Sequence, residues 1–415
     1  MQDSVYIIQA PPFWLKTPPL ALVYLSTWLK NNGCKTQTID LNNQLFKELA
    51  AAPGDWLKLN THMEKSLFEI VKNKYPYVLE NFYQTIKDSK YLGFSLFKRN
   101  QNFTFRLAKD IRNKFPDKKI IFGGPQMLFF KESLLRDSFK VTGEGEIPFL
   151  EIIRGSDKKN YEFKELDNLD ELCFCDFSST GLNSYSRVIP LLSSRGCPHK
   201  CNFCSERLLY KKFRHHSPEY MFEQIKFLKS EHLINNFVFC DSLINYSRRW
   251  LETLCNLLIK HRLNINWEAQ MRVEDKFPLG LARLIKQSGC YNLFVGLESG
   301  SDTTLKNLNK GFSAATASEF IATLKKAELH FEISLIFGHP GENNKSFKET
   351  LVFIKQNKTN IPKIAQANPF VDYLGTFPGE YFPNQQAKKR INLFLRMIKE
   401  ERIPYTKSFI NNLVY

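Results

Sequence analysis

The sequence predicts an α/β protein with two parallel-sheet units in tandem. Short apolar runs alternate with amphipathic stretches over residues 1–155. The alternation stops across an irregular segment rich in Asp, Asn and Ser at 156–188, then resumes over 189–375. Such alternation builds a parallel sheet, because each crossover returns the chain to run in the same direction. Residues 376–415 remain as a short helical extension, and a chain of 415 residues has ample length for two or three buried cores.

In the first unit, Val5 to Gln9 reads as a strand. With Asp3 at its front and so short an apolar run, the N-terminus does not read as a signal peptide. Pro18-Pro19 opens a helix through Leu29, and Gly33 ends it, the usual punctuation of a helix. Lys35 to Asp40, Tyr91 to Leu96, Lys119 to Phe122 and Lys140 to Thr142 are the following strands, with a helix over Phe103 to Phe115. The stretch Asn42 to Ser89 is longer than a plain crossover. It reads as helical, with Trp56, Leu59, Met63 and Leu67 on one face packing over the sheet. Ligands of open α/β sheets bind beyond the carboxyl ends of the strands.

The second unit opens with a strand at Ile189 to Ser194. Ser217-Pro218 is a helix start, a hydroxyl cap followed by proline. Strands follow at Phe237 to Asp241, Ile265 to Ala269 (leading to Arg272), Tyr291 to Val295, Phe331 to Phe337 and Lys363 to Ala367, and a basic helix at Gln385 to Glu401. Polar residues stand at the carboxyl ends of these strands, where chemistry sits in such folds.

Three cysteines within eight residues carry the chemistry: Cys197, Cys201 and Cys204, in Ser194-Arg195-Gly196-Cys197-Pro198-His199-Lys200-Cys201-Asn202-Phe203-Cys204. Three thiolates on a tight loop suit three irons of a four-iron, four-sulfur cluster, whose ordinary form takes four cysteines. The fourth iron stays open, as a catalytic metal requires. Zinc is the rival, but it closes with four ligands and usually draws on a second Cys or His pair, and none follows at typical spacing. Nine cysteines without a secretion signal point to a reducing cytoplasm. Cys173 and Cys175 alternate in a short apolar segment that fits a buried strand or linker better than a metal site. The net charge of +16 is spread along the chain, so it singles out neither nucleic acid nor any other anionic partner; its densest run is Lys211 to His216. No apolar run reaches the length of a membrane span.

The cysteine loop resembles that of the radical S-adenosylmethionine (SAM) superfamily, Cys-x3-Cys-x2-Cys with an aromatic before the last cysteine, here Phe203. Later segments match in the right order. Gly296 and Glu298 fall in Gly296-Leu297-Glu298-Ser299-Gly300, similar to the family's Gly-x-Glu-Ser-Gly, and Gly338-His339-Pro340-Gly341-Glu342 is similar to the loop that closes over adenine. The resemblance implies a partial (β/α)6 barrel, a 4Fe-4S cluster on the three cysteines, and SAM contacts from Phe203, Asp241, Arg272, Gly296, Glu298, Ser299, Gly338 and Pro340. Arg272 would meet the SAM carboxylate, although a structural ion pair of Arg272 and Asp241 at the rim competes with that reading. His339 reads as a proton-transfer group or, more simply, a turn residue. Val371 to Phe382 is similar to the stretch that closes the family core.

The first unit resembles the doubly wound, Rossmann-like cobalamin-binding domain that precedes this barrel in many relatives. Pro18 to Leu25, Gly93-Phe94-Ser95, Gly123-Gly124-Pro125 and Thr142-Gly143-Glu144-Gly145-Glu146 carry the likeness. They imply cobalamin contacts at Pro19, Leu20, Ser95, Gly123, Gly124, Gly143, Glu144 and Gly145. The Asp-x-His-x2-Gly motif that supplies a lower histidine ligand in some cobalamin proteins is missing. The implied activity is reductive cleavage of SAM to a 5′-deoxyadenosyl radical, with methylation of an unactivated carbon of a small metabolite, lipid or peptide. Its electrons would come from a partner such as flavodoxin or ferredoxin. Radical cyclisation, rearrangement or oxidation without methyl transfer is the alternative. RNA modification is disfavoured, because relatives that transfer methylthio groups carry three more cysteines in their first domain and this one has Cys34 alone. No acid, base or substrate residue is assigned by any motif.

Overall fold

The computed structural model describes residues 4–50, 56, 67–129, 137–372 and 385–406. They divide into two compact units, Met1–Pro190 with Leu209–Lys211, and Leu191–Leu208 with Lys212–Tyr415.

The first unit is built on β1 (Ser4–Gln9), β2 (Thr36–Asp40), β3 (Ser89–Ser95), β4 (Lys119–Gly123), β5 (Phe139–Thr142) and β6 (Asn160–Glu162). The strand order is β2-β1-β3-β4-β5-β6 and every pairing is parallel. The chain winds to one side of β1 and then to the other, so the topological switch lies between β1 and β3. Both faces are covered. Val5 and Ile7 pack with Leu22, Leu29 and Phe149, while Ile8 packs on the other face with Leu45, Trp56, Phe82 and Phe103. This double burial explains the nearly unbroken apolar run of β1.

Two parts of this unit differ from the sequence expectation or lie beyond it. The segment expected as an irregular linker supplies β6 and folds onto the first unit. There the Asp176 amide donates to Thr27 Oγ1 at 2.9 Å, Lys30 meets Asp176 at 3.1 Å, and Lys47 donates to Ser184 Oγ at 2.7 Å. Its polar composition reflects these bonds to the helices beside it. In the long crossover, helices Leu67–Lys74 and Pro76–Ile86 are present. Trp56 is fully buried and donates to Asn42 Oδ1 at 2.8 Å; Leu59 and Met63 lie outside the described residues.

The second sheet begins with β7 (Ile189–Leu191), which is followed by a two-stranded ribbon of β8 (Ser194–Arg195) and β9 (Arg214–His215). Arg214 and His215, within the run Lys211 to His216, therefore pair with the strand that leads into the cysteine loop. Strands β10 (Asn236–Phe239), β11 (Asn266–Arg272), β12 (Cys290–Glu298), β13 (Phe331–Phe337) and β14 (Ile364–Pro369) then join β7 in one sheet, in chain order. Adjacent strands from β10 to β14 pair parallel. Chain-order winding with helical crossovers is the connectivity of a partial (β/α)6 barrel. Ser217 caps its helix through the Tyr220 amide at 3.1 Å, as the sequence predicts. Residues 373–384, which hold most of the segment read as closing the core, lie outside the described residues.

The helix Gln385–Glu400 is part of this unit rather than an appendage. Ala387, Ile391, Phe394 and Ile398 are buried, and the Phe394 ring lies 5.1 Å from that of Phe337 on β13. No helix among the described residues is long and apolar enough to cross a membrane.

Candidate active site at the carboxyl ends of the second sheet

The cysteine loop leaves β8 at Gly196 and is clamped at its middle. The Asn202 amide donates to Leu308 O at 3.1 Å, and its side chain donates to Asn307 O at 2.7 Å. Asn309 donates to Lys200 O at 2.7 Å, and the Cys204 amide closes a turn on Cys201 O at 3.3 Å. The segment after β12 thus holds the loop by its backbone and leaves the thiols free to bind. Cys201 is buried, and Cys197 and Cys204 are half-buried. Burial raises the Cys197 thiol, with Cys201 adding to the shift, and burial pushes Cys204 up to about 11, with Cys201 and Cys197 adding to it. Iron favours the thiolate by taking the proton's place. Among the described residues no three Cys, His, Asp or Glu side chains converge on one metal ion. A four-iron cluster needs no such convergence, since each thiolate takes a separate iron. The donor set, three thiols on a clamped loop, fits that group.

Asp241, beyond β10, faces this loop from below. Its carboxylate accepts from the Ser193 amide at 3.0 Å, Ser193 Oγ at 2.8 Å and Ser194 Oγ at 2.6 Å. It is 1% exposed, and burial raises its carboxyl. The structure therefore places Asp241 as an anchor for β8. Asp241→Ala is expected to lower stability by about 2–3 kcal/mol, because it strands three buried donors. Denaturant unfolding measures this, and an unchanged midpoint would contradict the anchoring role.

At the end of β12, the register slips between Gly296 and Glu298, and Glu298 adopts a φ of +70°. Non-glycine residues hold that conformation only where their surroundings over-determine it. Here Ser334 Oγ donates to Glu298 Oε2 at 2.9 Å, and Lys310 Nζ lies 3.4 Å from Oε1, both side chains of that ion pair being buried. A Cβ on Gly296 would stand 2.8 Å from Glu298 Oε1, so this glycine makes room for the carboxylate. Ser299 points elsewhere, its Oγ 2.9 Å from Thr350 Oγ1. Sequence reasoning missed Lys310. Its ammonium also lies 5.6 Å from the rings of both Phe203 and Phe312, and only a fold that brings residue 310 back beside residue 203 reveals it.

Arg272 ends β11. Its backbone is held from both sides by Asn245, which donates to Arg272 O at 2.9 Å and accepts from Arg272 N at 3.0 Å. Its guanidinium lies over Phe312 at 5.4 Å, and Nη1 stands 3.4 Å from Cys201 Sγ. It joins His199, Tyr246, Phe312 and Thr316 in lining a cavity of about 920 Å³.

The loop after β13 is held from the C-terminal helix. Arg390 donates through Nη1 to Glu342 Oε2 at 2.7 Å and to Glu342 O at 3.1 Å, and Glu342 Oε2 also accepts from the Gly338 amide at 2.7 Å. Burial raises the Glu342 carboxyl despite the adjacent guanidinium. Gly338 has a φ of +81°, and a Cβ there would stand 2.5 Å from that of Ala387. Pro340 is exposed at the tip. His339 Nδ1 accepts from the Gly341 amide at 3.0 Å, and its ring meets Phe370 edge-on at 4.8 Å, the contacts of a turn residue.

In the first unit, Ser95 and Gly123 end β3 and β4, and Pro19 and Leu20 open the first helix. The Cβ positions of Gly124, Gly143 and Gly145 abut the Leu96 backbone, Phe163 and Leu25, so protein atoms account for these glycines; Gly123 has only ordinary contacts. Glu144 accepts from the Leu166 amide at 3.1 Å. Among the described residues, buried Gln9 Oε1, at the end of β1, and Asn42 Nδ2, just past β2, have no hydrogen-bond partner. Unpaired buried polar atoms at a switch point fit a polar ligand there.

Residues 191–354 match the model of the radical SAM superfamily. An uncharacterized methyltransferase of Pyrococcus horikoshii is 28% identical over 305 residues, covering 67% of this chain and 66% of the relative. Bacteriochlorophyllide d C-12(1)-methyltransferase of Chlorobaculum tepidum is 29% identical over 299 residues, covering 68% and 63%. Anaerobic magnesium-protoporphyrin IX monomethyl ester cyclase of Synechocystis sp. is 24% identical over 253 residues, covering 53% and 50%. The matches thus span less than two thirds of each of these relatives. Two solved structures share the fold. The radical SAM methyltransferase TsrM of Kitasatospora setae has a TM-score of 0.69 at 13% identity, covering 89% of this chain and 73% of that one. The cobalamin-dependent SAM radical enzyme OxsB has a TM-score of 0.68 at 17% identity, covering 97% and 56%.

Proposed function

We propose that the chain, whose residues 191–354 match the radical SAM superfamily model, is a cobalamin-dependent radical SAM enzyme that methylates an unactivated carbon of a small metabolite, lipid or peptide. The observation that carries the proposal is the clamped loop of Cys197, Cys201 and Cys204 beside the Glu298–Lys310 pair. A cluster with SAM on its open iron supplies, once reduced, the 5′-deoxyadenosyl radical; methylcobalamin supplies the methyl group.

The chain's residues bind and shield these groups. The three cysteines hold the iron, and Asp241 fixes the strand that presents them. Glu298, with its carboxylate fixed by Ser334 and Lys310, offers acceptor oxygens at the end of β12, suited to the ribose hydroxyls of SAM. The loop Gly338 to Glu342, braced by Arg390, would close over the adenine. In the first unit, Pro19, Leu20, Ser95 and Gly123 at the strand ends, with Gln9 and Asn42, would hold cobalamin. The methyltransferase names among the relatives and the shared fold with TsrM and OxsB support this reading. The similarity to a cyclase favours a second one, radical ring formation without methyl transfer.

The test is anaerobic reconstitution with iron and sulfide after expression with cobalamin. Retained cobalamin absorbance, together with a methylated product, supports methyl transfer. 5′-Deoxyadenosine with a product that gains no methyl group supports the cyclase-type reading.

A further inference from the structure

We propose that Arg272 sets the reduction potential of the cluster held by Cys197, Cys201 and Cys204, by donating an N–H to the Cys201 sulfur; this rests on the radical SAM reading above. The sequence alone suggests a different task for a strand-end arginine, the SAM carboxylate. The geometry points to the sulfur. Nη1 lies 3.4 Å from Cys201 Sγ, a normal distance for a hydrogen bond to sulfur.

The arginine is also fixed in place at both ends. Asn245 brackets its backbone with bonds of 2.9 and 3.0 Å, and Phe312 lies against its guanidinium at 5.4 Å. Across the loop, Cys201 is the most enclosed of the three ligands, at 8% exposure. A guanidinium stays charged at any working pH. A fixed cation that donates to a ligating sulfur favours the cluster state with the extra electron, and hydrogen bonds to the sulfurs are among the levers that set such potentials. In this site the low local dielectric strengthens the effect. Arg272 thereby makes the cluster easier to reduce before SAM is cleaved.

The experiment compares wild type, R272K and R272M after anaerobic reconstitution. It titrates the cluster with dithionite and mediators in the absence of SAM, following the reduced cluster by electron paramagnetic resonance, and separately measures SAM affinity. For R272M the reduced-to-oxidised ratio at a fixed potential is expected to fall about tenfold, which is ~59 mV for a one-electron couple. SAM affinity should stay within about threefold of wild type. R272K keeps the charge but loses the planar fork, and should fall between the two. An unshifted potential overturns the proposal, and an unshifted potential with SAM affinity weakened about tenfold assigns Arg272 to the carboxylate instead. If R272M loads no cluster, R272K decides, and a ratio equal to wild type overturns the proposal. A wild type that loads no cluster defeats the radical SAM reading itself.

Discussion

Cys201→Ala is expected to abolish cluster assembly and, with it, SAM cleavage. The loss should be on the order of 10⁴-fold or more, the scale found when one member of a group that works as a unit is removed. Two cysteines cannot hold three irons, and the half-loaded loop has no replacement at its buried centre. Cys173, exposed and distant in sequence, serves as the control: Cys173→Ala should retain the full cluster spectrum. Iron and sulfide analysis with anaerobic absorbance reads both variants. A Cys201→Ala protein that still carries four irons would contradict the assignment of this loop.

Arg390→Met is the second large effect. Arg390 and Glu342 form an ion pair with side chains 4% and 1% exposed. Removing the cation leaves a buried, unpaired carboxylate, which costs about 3–5 kcal/mol. The loss should appear in denaturant unfolding and as weaker SAM binding, because the same carboxylate holds the Gly338 amide. The deficit has a definite pH dependence. Burial already raises the Glu342 carboxyl above its ordinary range, and without Arg390 it rises further. A carboxyl raised in the folded state binds its proton more readily there than in the unfolded chain. The variant should therefore regain stability as pH falls through that raised pKa and lose it again as pH rises. Glu342→Gln added to Arg390→Met should recover part of the loss, since it removes the stranded charge. Equal stability of wild type and Arg390→Met would show that the helix Gln385–Glu400 is not coupled to this loop.

The sequence made the main elements readable because their punctuation is strong. The serine–proline helix start at 217–218, the Pro18-Pro19 start and Gly33 end of the first helix, and the three-cysteine loop after its strand each rest on a local rule, and the structure places the helices where those rules put them. What it hid was pairing across long separations. The strand Asn160–Glu162 sits in a segment whose Asp and Ser content resembles a loop, and only the neighbouring β5 makes it a strand. Lys310 and Arg390 look like ordinary surface cations in a chain with 58 lysines and arginines. Their roles depend on Glu298 and Glu342, which lie 12 and 48 residues away. Asp241 stands where the sequence puts it, at the end of its strand, but its partners are serines 47 and 48 residues earlier. Ser299 follows the motif in sequence, yet a turn after the bulge directs it to Thr350. Local patterns thus located the site, and the tertiary contacts decided which polar groups face it.

The measurement that bears most directly on the account is anaerobic reconstitution of the wild-type chain, followed by incubation with SAM and dithionite. The account predicts four irons per chain held by three cysteines, a reduced-cluster resonance that shifts when SAM is added, and release of 5′-deoxyadenosine. A bound zinc closed by a fourth protein ligand, or a full cluster that neither responds to SAM nor yields 5′-deoxyadenosine, would contradict it.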